Sequence, residues 1–120
     1  MRSLILVLTA FPLLAAAPAA TGAPGLEAAF GNTIVSTHPD GRQAKLWLSR
    51  DGTWAAESRK HERSGGTWRL KGKKLCLTQT KPHRGLMTLC KTFPAVRLGM
   101  SWQDKAFNGD RVTNKVVAGR

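Results

Sequence analysis

The sequence predicts a mainly β protein: an antiparallel meander, curled into a small barrel or a strongly twisted sheet of about 7 or 8 strands. Three observations lead to this prediction. Turn residues recur roughly every 10 positions, apolar residues between the turns alternate with polar ones, and both cysteines lie in one segment that folds back on itself. A helical protein would instead space its apolar residues by three and four.

Residues 1–23 have the composition of a cleaved secretory signal peptide. Arg2 precedes a short apolar run at residues 3–14, and an alanine-rich stretch leads up to Ala23. A transmembrane helix needs about 20 consecutive apolar residues, and Pro12 interrupts this shorter run, so no transmembrane segment is predicted. The small-residue rule is satisfied equally by cleavage after Ala19, Ala20 or Ala23.

The remaining residues, 24–120, are expected to form a single β domain that is soluble in the periplasm or outside the cell. No cysteine lies near the cleavage region to carry a lipid, so the protein is not predicted to be a lipoprotein. In an oxidising compartment Cys76 and Cys90 should pair. Their bond closes a loop of about 15 residues and should contribute roughly 3 kcal/mol. We expect a monomer.

The cysteine segment, residues 66–93, is predicted to be a hairpin centred near His83, because Pro82 and Gly85 interrupt a strand-like run. One register aligns three matching pairs across this hairpin: Cys76 with Cys90, Leu77 with Leu89, and Thr78 with Thr88.

Ahead of the hairpin, the alternation of apolar residues and the glycine-containing turns predict four further strands. They cover residues 33–37, 43–49, 53–58 and 67–70, with a turn at 59–65. Residues 26–30 form one helical turn or simply pack against the core. Beyond the hairpin, residues 95–98 suggest a short strand and residues 99–109 a polar segment with a helical turn. Residues 110–120 should end the sheet by pairing with the first strand.

Several of these turn and core residues recur in an order that resembles a pattern in small exported proteobacterial proteins of unknown function. The matching elements are Gly31-Asn32-Thr33, Asp51-Gly52-Thr53-Trp54, Gly66-Thr67-Trp68, Leu75-Cys76, Cys90 and Gly99-Met100-Ser101-Trp102. The resemblance covers most of residues 24–120. It implies a shared exported β fold and transfers no catalytic residue.

Charge is the property most informative about partners, since 19 Lys and Arg oppose 7 Asp and Glu. The densest basic residues are predicted to lie on adjacent strands and turns, where they would bind an anionic polymer or an envelope surface. They are Arg59, Lys60, Arg63, Arg69, Lys71, Lys73 and Lys74. A purely solvating surface is the open alternative.

The tryptophans divide into one candidate for stacking on a ligand and three candidates for the core. Trp47 falls on the strand face opposite Leu46 and Leu48, where an exposed ring among basic residues would favour nucleic-acid bases. A domain this small, without tyrosine, should use its other tryptophans to fill volume. These are Trp54, Trp68 and Trp102.

Catalytic and metal-binding patterns are sparse, so we predict no enzyme, no cofactor and no metal site. Ser36, His38 and Asp40 fall within one strand end, whereas working triads draw residues from separate elements. Asp40 should instead stabilise its turn, and His38 should be exposed. The histidines fall on three different turns, and no phosphate-binding loop opens a helix.

Two functional hypotheses remain. The first is a non-catalytic basic β domain that binds an anionic ligand or polymer through residues 59–74. The second is a small exported interaction or inhibitor module that presents the loop Lys81-Pro82-His83-Arg84, held rigid by the disulfide, to an acidic protein partner.

Overall fold

The computed structural model describes residues 25–83, 85 and 87–120. The predicted signal peptide, residues 1–23, lies outside the described residues, as does Arg84 of the predicted recognition loop. A single 3-10 turn, Glu27–Ala29, precedes eight strands. The strands are β1 Thr33–Thr37, β2 Gln43–Leu48, β3 Thr53–Glu57, β4 Arg63–Lys71, β5 Lys74–Lys81, β6 Met87–Thr92, β7 Ser101–Lys105 and β8 Arg111–Val117. No helix in the described part is long and apolar enough to cross a membrane.

All eight strands belong to one antiparallel sheet that curls into a half-barrel, which confirms the predicted fold class. The strand order is β6-β5-β4-β3-β2-β1-β8-β7. The last strand pairs with the first as predicted, with Thr33 opposite Val117. The sheet nevertheless keeps two edges, because β6 and β7 stand at opposite ends of this order.

The disulfide hairpin forms in the predicted register. Cys76 is opposite Cys90 and bonded to it, with Leu77 opposite Leu89 in the next pair. The hydroxyl oxygens of Thr78 and Thr88 lie 2.8 Å apart and share a hydrogen bond. Local alternation and the turn residues were therefore sufficient to align β5 with β6.

The turn predicted at residues 59–65 is too long, because β4 already begins at Arg63. Two glycines allow the strand to continue there. A β-carbon on Gly66 would lie only 1.8 Å from the carbonyl oxygen of Thr78 on β5, and the pairing register shifts between Gly65 and Gly66. A glycine inside a strand thus marks a bulge with close backbone approach, not the end of pairing.

Two predictions beyond the hairpin are wrong. Residues 95–98 are not a strand, and the segment 101–105, assigned to a polar region with a helical turn, is strand β7 paired with β8. The first segment instead packs Val96 into the core, where it is 6% exposed. The second pairs Trp102 with Asn114 across the β7–β8 ladder, a long-range contact that its polar sequence does not reveal.

The half-barrel has one filled end and one open end. The filled end carries the 3-10 turn, the β2–β3 and β4–β5 turns and the link from β6 to β7. Its core contains Leu26, Ala29, Leu48, Trp54, Val96 and Val116. Phe30 stacks on Trp68 with ring centroids 5.7 Å apart, and the Val96 amide donates to the Gly25 carbonyl at 2.7 Å. Residues 26–30 therefore form a helical turn and also pack against the core.

Candidate functional site

The predicted basic residues fall into two groups at opposite ends of β4. Arg59, Lys60 and Arg63 lie at the open end, at or near the start of the strand, whereas Lys71 lies at its other terminus. A strand advances about 3.3 Å per residue, so Arg63 and Lys71 are separated by roughly 26 Å. Residues 59–74 therefore do not form one contiguous basic site.

At the open end, carboxylates already neutralise the two arginines. The Arg59 guanidinium lies 3.2 Å from Asp110 and 3.7 Å from Asp40. Arg63 contacts the Glu57 carboxylate at 2.9 Å. A hydrogen bond from His61 and, more weakly, the charge of Arg63 lower the pKa of Glu57. The two arginines consequently offer little uncompensated charge to an anion, and Lys60 is the one member of this group that is exposed without an ion pair among the described residues.

Trp47 lies on the predicted outer face but cannot serve as an exposed stacking platform, because only 8% of it is exposed. Its indole nitrogen donates to the Thr33 hydroxyl at 2.9 Å. The guanidinium groups of Arg63 and Arg120 cover its ring, 5.3 and 5.6 Å from the centroid. The other three tryptophans pack in or against the core as predicted: Trp54, Trp68 and Trp102.

The second group, which we call the basic patch, is different. Its members are all exposed at the filled end of the β4–β5 hairpin: Arg69, Lys71, Lys73 and Lys74. Arg69 is opposite Cys76, and Lys71 is opposite Lys74, so these side chains share the outer face with the disulfide. Within the described residues, no carboxylate forms an ion pair with any of the four.

The inner face holds a second candidate site, a cavity of about 350 Å³ toward the open end. Most of its wall is apolar and comes from β1, β2, β5 and β6, including Ile34, Leu46, Leu77 and Leu89. Polar side chains complete the lining: Ser36, His38, Lys91, Asp104 and Asn108. Sequence analysis did not predict this cavity.

His38 is not the exposed turn residue that was expected, because its side chain is only 10% exposed. Its Nδ1 lies 3.1 Å from the Asp110 carboxylate, which also accepts hydrogen bonds from Asn108 and Arg59. The hydrogen bond from His38, followed by that from Asn108, lowers the pKa of Asp110. The cluster thus joins three turns at the open end. Asp40 accepts from the Arg42 amide at 2.9 Å and stabilises its turn as predicted.

The histidine–aspartate pair does not align with the nearby serine. Ser36 and His38 both line the cavity, but the Ser36 hydroxyl donates to the side-chain oxygen of Asn114. Serine activation requires this hydrogen to point to the imidazole. The contact between His38 and Asp110 therefore links two turns at the open end and is not aligned with a serine nucleophile. In the part of the chain that the structure describes, no group of three or more His, Cys, Asp and Glu side chains gathers around a possible metal position.

The edge strands β6 and β7 face each other across a gap that we call the seam. Side chains from both strands make contact across this seam. The Lys91 ammonium lies 3.1 Å from the Asp104 carboxylate and 5.2 Å from the ring centroid of Phe107. Deeper in, Phe93 meets the Trp102 ring edge-on at 5.5 Å. The sequence does contain a signal for this ion pair. Lys91 is two residues after Leu89 and therefore shares its strand face, and a charge on an apolar face requires a partner.

Comparison of the chain with protein-family models, curated proteins and solved structures finds no match. The interpretation of both sites therefore depends on their own geometry and charge.

Proposed function

We propose that the protein is an exported, non-catalytic β domain that binds an anionic polymer or an anionic envelope surface through the basic patch. The observation that carries this proposal is the contrast within the predicted basic region. The patch residues are exposed and have no ion-pair partner among the described residues, whereas Arg59 and Arg63 are paired with carboxylates.

The geometry of the patch suits a repeating anion. Cross-strand neighbours such as Lys71 and Lys74 have β-carbons about 5 Å apart, so their like charges repel one another. Phosphate, sulfate or carboxylate groups would relieve that repulsion and release their own counter-ions. The disulfide links β5 to β6 on the same outer face and so restrains the backbone that carries Lys74.

A second candidate function uses the loop after β5. Lys81, Pro82 and His83 are exposed, and the Gln79 side chain donates to the Pro82 carbonyl at 3.1 Å. This contact and the disulfide order the start of the loop, which would reduce the entropy cost of binding an acidic protein partner. The two functions differ in salt dependence and in the residues that they require.

The test compares two variants with the same change in net charge. One replaces all four patch residues with glutamine: Arg69, Lys71, Lys73 and Lys74. The matched control replaces four other exposed basic residues: Lys45, Arg97, Lys105 and Arg111. Binding to heparin and to duplex DNA is measured over a range of salt concentrations.

We expect the patch variant to lose affinity and to reduce the slope of log affinity against log salt by about 3 to 4. The control should retain most of both quantities. An equal loss in the two variants would show that net charge alone controls binding and would overturn the site. Capture of a protein partner that is lost on His83→Ala but retained in the patch variant would favour the loop function instead.

A further inference from the structure

The cavity on the inner face has the composition of a small-molecule site and lies apart from the basic patch, which occupies the outer face. Its volume of about 350 Å³ is near the lower limit of known ligand pockets, about 300 Å³. Leu46, Leu77 and Leu89 supply apolar wall, and a few polar side chains complete the lining. This volume suits a single apolar chain better than a two-chain lipid.

The apolar residues around the seam are unusually accessible to solvent. Leu89 and Phe107 line the cavity and are 38% and 66% exposed. Met87, two residues before Leu89 on the same strand face, is 46% exposed. Exposed apolar surface continuous with a cavity is characteristic of a binding site, because solvation of that surface is unfavourable until a ligand covers it.

The filled end restricts how a ligand reaches the cavity. Leu26 and Val96 are almost completely buried in the core at that end, whereas β6 and β7 share no backbone ladder. An apolar chain would therefore enter from the open end or through the seam. In both cases its head group would finish beside polar side chains that line the cavity, and Lys91 at the seam is the cationic one.

The free donors of Lys91 and the net charge of the protein favour an anionic head group, although the Asp104 carboxylate also lines the cavity. Lys91 is the only lysine or arginine among the described residues that line the cavity. Its ammonium has three N–H donors, and the Asp104 contact leaves donors for a ligand anion. The formal net charge of +12 also attracts anions over long distances.

We propose that the cavity binds an amphiphile with one unbranched apolar chain and an anionic head, of the fatty-acid class. The chain lies against the leucines of β2, β5 and β6, and the head group accepts a charge-assisted hydrogen bond from Lys91. Asp104 competes with the head group for the Lys91 ammonium. This ion pair therefore holds the seam when no ligand is bound.

The experiment uses the oxidised protein and three probes that share a chain and differ in their head group: dodecanoate, dodecanol and dodecylamine. The two charged probes are kept below their micellar concentrations and dodecanol below its aqueous solubility. Affinity is measured by isothermal titration calorimetry, and the site is mapped by amide chemical shifts. Dodecanoate should bind at least about tenfold more tightly than dodecanol, as expected for one charge-assisted hydrogen bond. Its shifts should concentrate on β1, β2, β5 and β6.

Three substitutions, with two control substitutions, assign the two parts of the site. Ala44→Phe fills the cavity and should weaken dodecanoate binding by about tenfold or more, whereas Thr113→Phe, at an exposed position on β8, should leave it unchanged. Lys91→Met should weaken dodecanoate by about tenfold without weakening dodecanol, with Lys115→Met as its control. Asp104→Asn should tighten dodecanoate, a result that a purely structural ion pair would not produce.

The proposal fails if no probe binds saturably, or if the shifts caused by dodecanoate lie outside the cavity-lining strands. Equal weakening by Ala44→Phe and Thr113→Phe would also overturn it. Dodecanol or dodecylamine binding as tightly as dodecanoate would refute the anionic head. The chemical-shift map of the unsubstituted protein decides the matter even where a cavity variant does not fold.

Discussion

The two ends of the half-barrel are built from the same strands and differ in what fills them. At the filled end, Leu48 and Val116 are 1% and 0% exposed beneath the 3-10 turn and the link around Val96. Toward the open end, Leu89 on the inner face of β6 and Phe107 in the β7–β8 turn both line the cavity but remain exposed. Strand alternation selects the inner face equally in both places. Non-strand segments decide which part becomes core.

The comparison also separates two uses of polar groups. At the filled end, the four residues of the basic patch are exposed and lack ion-pair partners among the described residues. At the open end, Arg59, His38 and Asp110 form one cluster that joins three turns. A half-barrel without a continuous backbone ladder needs side-chain contacts to hold its open end, and the seam pair Lys91–Asp104 has the same role.

The largest expected effect is the loss of core volume at the filled end. Leu48→Ala should destabilise the protein by about 2 to 5 kcal/mol, because the residue is almost fully buried and its surroundings cannot collapse completely. Urea unfolding at neutral pH, with the disulfide intact, measures the change. Leu89→Ala is the matched substitution at the open end and should cost less than about 1 kcal/mol. Equal costs would show that the two ends are packed alike.

Removal of the disulfide should have the next largest effect. Replacing both Cys76 and Cys90 with serine releases a loop with a sequence separation of 14, which should cost roughly 3 kcal/mol. The effect should be strongest on β6, an edge strand held on one side only. Hydrogen exchange should therefore accelerate more in β6 than in β1. Two free thiols in the isolated protein would contradict the bond itself.

The seam ion pair should contribute little to global stability. Lys91 and Asp104 have side-chain exposures of 30% and 29%, and ion pairs this accessible are usually worth less than about 1 kcal/mol. Lys91→Met should therefore unfold at nearly the same urea concentration as the unsubstituted protein. A much larger loss of unfolding free energy would mean that the seam stabilises the fold as strongly as core packing does.

The smallest expected effect is the response of the open end to acid. The pKa of Asp110 is lowered from an ordinary value of about 3.9, so its contacts stabilise the folded state above that pH. This contribution is lost as the pH falls through the lowered folded-state pKa. The stability difference between the unsubstituted protein and Asp110→Asn should thus be constant near neutral pH and shrink below about pH 4. If this stability difference persists at lower pH, the effect of Asp110→Asn comes from packing and not from the charge of Asp110.

Local sequence determined much of this structure. Alternation and turn residues were enough for the strand class, for most strand limits before the hairpin and for the alignment of Cys76 with Cys90, because each depends on neighbours within one or two strands. The buried role of Trp54 followed from composition. Export, the signal peptide and the family resemblance remain predictions from the sequence.

Only the tertiary structure decided which residues meet. The period of two identifies the face of Lys91 but not its partner Asp104, which belongs to the strand at the opposite edge of the sheet. The same limit explains the basic region, since residues close in sequence were carried to opposite ends by the length of β4. The cavity depends on which segments enter the half-barrel and which do not. That outcome is set by long-range packing, which no local pattern encodes.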